Sequence, residues 1–153
     1  MPTIVVETRI AAPIEVCFDL ARDVEAHARS SAATGERIVG PKTTGCLELG
    51  DEVTFEARHL GVRQRLTSRI VEFARPTRFV DQMVSGAFAS LRHVHEFRPD
   101  GRAVVMRDTL TWQSPLGPLG VLADRLFLVR YMRNFMMRKQ RLLKAEAEHV
   151  PPS

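Results

Sequence analysis

The stretch from Leu119 to His149 constrains what this 153-residue chain can fold into more than any other. It contains no Gly after Gly120 and no Pro, and Leu, Met, Arg, Lys, Ala and Glu dominate it. Such residues lose little on entering a helix, so the stretch predicts one of about 28 residues, about 42 Å long. Pro115, Gly117, Pro118 and Gly120 mark its start, and Pro151 and Pro152 its end. From Gly35 to Trp112 the pattern is instead one of short alternating strands and tight turns. A single long helix after a run of strands buries its apolar stripe most simply across the open face of a curved antiparallel sheet.

Several function classes fall away on composition. Cys17 and Cys46 have neither metal-ligand spacing nor the look of a disulfide framework, so a reduced, cytoplasmic protein is expected. Met1 to Ile10 alternates apolar and polar residues and shows no signal-peptide pattern, and no apolar run is long enough to span a bilayer. The net charge of +4 resides in the helical stretch. Arg125, Arg130, Arg133, Arg138, Lys139, Arg141 and Lys144 stand there against Asp124, Glu146 and Glu148. No nucleic-acid motif accompanies these cations, and they are expected to solvate the outer face of the helix, including Arg138, Lys139 and Arg141. Weak peripheral membrane contact is the most they predict.

Taken in order, Thr3 to Ile10 reads as a strand, Ala12-Pro13 opens a short helix with the stripe Ile14, Cys17, Phe18 and Ala21, and Asp23 caps a second. Ser30 to Gly35 is a small-residue loop, Glu36 to Val39 a short strand, and Gly40 to Gly50 an irregular edge. From Asp51, Val53, Phe55, Ala57 and His59 alternate with Glu52, Thr54, Glu56 and Arg58. A turn at Leu60-Gly61 sets Phe55 opposite Leu66, Glu56 opposite Arg65, Thr54 opposite Thr67 and Glu52 opposite Arg69, complementary on both faces. Leu is a poor residue for a primed turn, which leaves the turn type open. Further strands run from Arg78 to Val84, Ser90 to Arg98 and Arg102 to Trp112, the last two joined at Pro99-Asp100-Gly101. No internal repeat or linker divides the chain, and one domain over 1–153 is expected.

The segments ETRIAAPIEVCFDLARDVEAH, FVDQMVSGAFASLRHVHEF and DTLTWQSPLGPLGVLADRLF resemble the START-like ligand-binding superfamily, with its polyketide cyclase/dehydrase-like and coenzyme Q-binding members. The resemblance spans nearly the whole chain. It implies an α+β helix-grip fold: about six to seven antiparallel strands wrapped around the C-terminal helix, two short helices after the first strand, and an enclosed apolar cavity. A small hydrophobic ligand (lipid, isoprenoid or polyketide-like) is the implied partner, with no cofactor, in a monomer or homodimer. Fold alone does not settle function.

Parity places the candidate site. Phe55, Leu66, Leu91, Met106, Leu110 and Trp112 share the inward face of the sheet with His59, Gln64, His93, His95 and Asp108. From the helix, Leu126, Phe127, Val129, Met132, Phe135, Met136 and Leu143 form the inner side, and Tyr131 and Asn134 offer a hydroxyl and an amide. A two-residue Asp100-Gly101 turn, or a four-residue loop from Pro99 to Arg102, puts His93 opposite Asp108 and His95 opposite Met106; a three-residue Pro99-Asp100-Gly101 loop would set His93 opposite Arg107 and mix the two faces, which burial disfavours. Asp81 is a candidate neighbour on the far side of His93, with the phase of its strand open. A His93–Asp108 pair would anchor a ligand oxygen in a carrier; in a cyclase or dehydratase it would do acid–base work on an enolisable carbonyl. His93-x-His95 has a spacing that binds zinc given a third ligand such as His59 or Asp108. With no Cys or Glu at ligand positions, no metal is expected.

Overall fold

A computed structural model describes residues 1–31 and 35–149. Strand β1 (Thr3–Ile10) leads into helices α1 (Ile14–Ala21) and α2 (Val24–Ser30), then strands β2 (Arg37–Pro41), β3 (Glu52–His59), β4 (Val62–Ala74), β5 (Arg78–Ser85), β6 (Ser90–Asp100) and β7 (Ala103–Gln113). The seven strands form one sheet in the order β1-β7-β6-β5-β4-β3-β2, every pair antiparallel. β2 to β7 are successive neighbours, so α1 and α2 serve to carry the chain from one edge strand to the other. Asp23 caps α2, its Oδ1 accepting the Ala26 N–H at 2.9 Å. Phe18 on α1 meets Phe73, Phe79 and Phe97 edge-on, with centroids 5.3–5.6 Å apart, which locks the crossover onto the sheet. Part of the small-residue loop expected from Ser30 to Gly35 lies outside the described residues.

The β3–β4 hairpin has the expected register: Glu52 faces Arg69, Thr54 faces Thr67, Phe55 faces Leu66 and Glu56 faces Arg65. Its turn is of the primed kind, for Leu60 (φ 53°) and Gly61 (φ 78°) are both left-handed. Leu60 is the one non-glycine with positive φ among the described residues. Glu56, only 4% exposed, is matched by more than its cross-strand partner: Arg37, Arg63 and Arg65 all donate to it.

The β6–β7 hairpin turns one residue later than expected. Asp100 pairs with Ala103 across Gly101-Arg102, so His93 faces Leu110 and His95 faces Asp108, not Asp108 and Met106. Gly101 (φ 63°) takes the first central position of this turn, where positive φ favours glycine. Moving the turn by one residue moves the register by two, which keeps every side chain on its expected face.

The C-terminal helix runs from Pro118 to His149 but is not uniformly α. Helix α3 (Pro118–Ala123) passes into a π segment (Asp124–Leu128) and then α4 (Val129–His149). Gly120 packs α3 onto the end of β7: a Cβ there would lie 2.7 Å from the Ser114 Cβ. The Asp124 carboxylate, buried in the π segment, accepts hydrogen bonds from Trp112 Nε1–H (3.0 Å) and Ser114 Oγ (2.8 Å). A π turn takes an extra residue and rotates the face presented upstream of it. That rotation corrects part of the inner stripe: Leu126 and Phe127 are exposed, at 70% and 48%, and Leu128 points inward instead. Asn134 is exposed as well. No helix among the described residues is long and apolar enough to cross a membrane.

Candidate functional site

Between the sheet and the C-terminal helix lies a cavity of about 320 Å³. Of the expected site residues, Phe55, His59, Gln64, Leu66, Leu91, His93, Leu110, Tyr131, Met132 and Phe135 line it. The other four do not. Met106 and Trp112 are 1% and 0% exposed and are consumed by packing. His95 and Asp108 stand behind His93; His95 borders a separate void of about 30 Å³ with Asp81, His27 and Ser68. Leu60, Ala87, Phe88, Leu116 and Leu128 add to the apolar wall, and Leu60 and Leu116 are more than half exposed at its rim.

The polar end is more elaborate than parity alone indicates. His93 Nε2 and His95 Nδ1 each lie 2.9 Å from Asp108 Oδ1, while His95 Nε2 lies 2.7 Å from Asp81 Oδ2. His93 and Asp81 are cross-strand partners, with Nδ1 and Oδ2 3.9 Å apart. The two imidazoles stack with centroids 3.7 Å apart, and Phe79 stacks on the outer side of His95 at 4.1 Å. Gln140 closes the network from α4, donating to Asp108 Oδ2 (2.6 Å) and to the Val6 carbonyl (2.9 Å) and accepting from Thr8 Oγ1 (2.7 Å). Apart from His93 Nδ1, the ring nitrogens of this cluster are engaged with its carboxylates, as burial demands.

Protonation follows from these contacts. Ionised carboxylates only accept, so each ring nitrogen facing one carries a hydrogen. His95 meets a carboxylate at both nitrogens and is therefore an imidazolium. Burial opposes that charge, but the hydrogen bonds to Asp108 and Asp81 and their negative charges prevail, raising His95 to about 9. Asp81 is likewise opposed by burial yet pulled to about 2 by the His95 hydrogen bond and both histidines. Asp108, with the same opposing influences, is held well below the carboxylate range. His93 meets one carboxylate closely. Burial, and then the charge of His95, push it down, leaving a neutral ring with its Nε2–H on Asp108 and its Nδ1 lone pair free.

A second polar chain lines the cavity. Lys139 Nζ contacts His27 Nε2, and His27 Nδ1 lies 2.6 Å from Glu36 Oε1. His27 also stacks on Phe55 at 4.1 Å. Burial lowers both Lys139 and His27. Lys139 thus departs from the expected solvated face: it points inward, while Arg125, Arg130, Arg133, Arg138 and Arg141 stay exposed. Helical spacing could have found it, because Met132, Phe135, Met136 and Lys139 recur at intervals of three and four. Glu36 carried no such signal, since it precedes β2 by one residue. Nearer the middle of the wall, His59 Nδ1 and the Tyr131 hydroxyl are 2.7 Å apart.

A curved antiparallel sheet gripping a long helix, with an apolar cavity between them, defines a helix-grip ligand-binding protein. Residues 1–148 match the family described as "Polyketide cyclase / dehydrase and lipid transport", and the chain belongs to that family. Among solved structures, a protein of Thermus thermophilus matches with a TM-score of 0.76 at 20% identity, covering 95% of this chain and 97% of that one. A START superfamily protein of Mycobacterium smegmatis matches at 0.72 with 13% identity over 97% and 99% of the two chains. The major latex-like protein 151 of Panax ginseng matches at 0.72 with 15% identity over 98% of each chain. At these identities the likeness is one of fold. No curated protein matches the sequence.

Proposed function

We propose that this protein binds and carries a small hydrophobic molecule, of lipid, isoprenoid or polyketide type, in the cavity between the sheet and the C-terminal helix. The observation that carries the reading is the composition of the wall: aliphatic and aromatic side chains over most of it, with polar groups held in place by one another at His93–Asp108, His27–Lys139 and His59–Tyr131. Such a division holds an apolar body and orients one oxygen-bearing group. The family description, which couples cyclase and dehydrase chemistry with lipid transport, supports ligand binding at this general level.

A second reading is supported by His93. Its neutral ring lines the cavity, Asp108 fixes its Nε2–H, and its Nδ1 lone pair is suited to accept a proton from an enolisable carbonyl. Asp108 would then be a positioning residue, because it is screened from the cavity by the rings. One substitution separates the readings. In a carrier, His93→Gln alters affinity for an oxygenated ligand by about 1–3 kcal/mol, the scale of a hydrogen bond to a charged or buried group. In an enzyme it leaves binding largely intact and lowers turnover by roughly 10²–10⁴. A panel of a fatty acid, an isoprenoid alcohol and an aromatic polyketide, scored by displacement of a fluorescent apolar probe, supplies the binding readout. Ligand at about 100 times its dissociation constant adds about 2.7 kcal/mol to stability. Failure of every apolar compound to displace the probe or raise Tm would overturn the carrier reading.

A further inference from the structure

The histidine–aspartate cluster has an arrangement that ligand orientation does not require. Asp108 Oδ1 takes the N–H of both imidazoles, Nε2–H of His93 and Nδ1–H of His95, each at 2.9 Å. The other Asp108 oxygen is taken by Gln140 at 2.6 Å, so this carboxylate is fully engaged and fixed. The remaining ring nitrogens, His93 Nδ1 and His95 Nε2, are left on the side of Asp81. They stand 3.9 Å and 2.7 Å from Asp81 Oδ2, and one ligand atom each from Asp81, His93 and His95 fall within 4.8 Å of one another. An outer carboxylate that holds the far N–H of a ligating histidine, setting its tautomer and aim, is the usual support of a metal-bound imidazole. Here one carboxylate does this for two rings at once.

We propose that Asp81, His93 and His95 bind one divalent first-row transition-metal ion, with a further coordination position open to the cavity. Two of the three ligand separations lie close to those of a metal site. With metal–ligand bonds near 2.0–2.1 Å and tetrahedral angles, neighbouring ligand atoms stand about 3.3 Å apart. Asp81 Oδ2 is now 2.7 Å from His95 Nε2 and 3.9 Å from His93 Nδ1. One separation opens and the other closes by about 0.6 Å, and the two rings, now stacked with an interplanar angle of 25°, turn about the Asp108 anchor so that both lone pairs meet at one point. The ion takes the place of the proton now shared between His95 Nε2 and Asp81; that proton leaves to solvent, His95 becomes a neutral donor, and no electrons move. Two imidazoles and one carboxylate select zinc, iron(II), cobalt(II) or a similar ion over magnesium and calcium, which prefer oxygen alone. The surrounding charge accepts a dication: Asp108 adds a second carboxylate to that of Asp81, and of the cavity's cations Lys139 has its Nζ held on His27 and Arg65 is bound to Glu56. Because Asp81 and His93 both line the cavity, the open position faces the space that a ligand oxygen or a water would fill. The third ligand offered by the sequence was His59 or Asp108; Asp81 takes that place here, on a strand whose phase the sequence left open.

The test uses the metal alone and so stands or falls separately from the carrier reading. Protein stripped with EDTA and exchanged into chelator-free buffer is titrated with Zn²⁺ and with Co²⁺. The expected result is saturable binding of one ion per chain, unaffected by excess Mg²⁺. His93→Gln and Asp81→Asn remove it, Asp108→Asn weakens it by about 10–100-fold, and the exposed His149→Gln leaves it unchanged. X-ray absorption on the zinc-loaded unaltered protein needs no variant to fold, and should show two imidazoles with oxygen completing the shell. No saturable binding of either ion, unchanged affinity in His93→Gln, or an absorption spectrum without imidazole overturns the site.

Discussion

His95 concentrates the chemistry of this protein at one residue: a charged ring held inside the fold because a carboxylate meets each of its nitrogens. The consequence for stability has a definite sign. Folding raises His95, so its contribution is complete below the unfolded value of about 6.5. It is lost as pH climbs toward about 9. Folding lowers His93, so below about pH 6.5 the unfolded chain binds a proton that the folded chain refuses, and stability falls in that direction too. Asp81 steepens the acid side: its contribution is present above about 3.9 in the unfolded scale. It disappears as pH falls through about 2. Burial lowers Lys139 as well, which by the same rule makes stability rise with pH on the alkaline side, so the His95 contribution is read by difference: with EDTA present, the urea midpoint of the unaltered protein should lose more between about pH 6.5 and 9 than that of His95→Gln. Parallel pH profiles of the two proteins over that window would contradict this assignment of protons. The inward placement of His59, Gln64, His93 and Asp108 was legible from alternation alone. The pairing was not, because a hydrogen bond is made by rotamers and diagonal neighbours: His93 reaches Asp108 although Leu110 stands opposite it.

Among the elements, the β3–β4 hairpin shows what complementary side chains can specify. Glu52–Arg69, Thr54–Thr67 and Glu56–Arg65 specify its register whatever the turn type, and the chain accepts a left-handed leucine to keep it. A left-handed backbone costs such a residue about 1–2 kcal/mol, while glycine gives back about 0.4–1 through its freer unfolded state. Leu60→Gly should thus raise stability by about 0.5–1 kcal/mol in urea unfolding, and a loss of stability would show that the side chain's contacts at the rim outweigh the backbone. The β6–β7 hairpin lacks such pairs next to its turn, and there the register differs from the expected one by two residues. The C-terminal helix was legible in position and length, and its one irregularity was not. Helix-forming residues at Asp124–Leu128 read the same in an α or a π turn; the choice is made from outside, by Trp112 and Ser114 binding the Asp124 carboxylate.

At the scale of the whole molecule, the fold keeps a void where most domains would pack side chains. Interiors are ordinarily close-packed, so a cavity of about 320 Å³ in a 153-residue chain is a feature the packing preserves. Core clusters flank it, one under α1 with Phe18, Phe79 and Leu143, the other under α4 with Leu91, Trp112 and Met136. The exposed apolar side chains Leu119, Leu122 and Leu126 form an alternative place for a hydrophobic molecule to bind, outside the grip of sheet and helix. Methyl-resolved NMR distinguishes inside from outside most directly. On titration with an isoprenoid alcohol or an aromatic polyketide, the methyl signals of Leu91, Leu110, Met132 and Met136 should shift saturably, while exposed Met137 stays fixed. Shifts confined to Leu119, Leu122 and Leu126, with the four cavity residues unmoved, would contradict binding between sheet and helix.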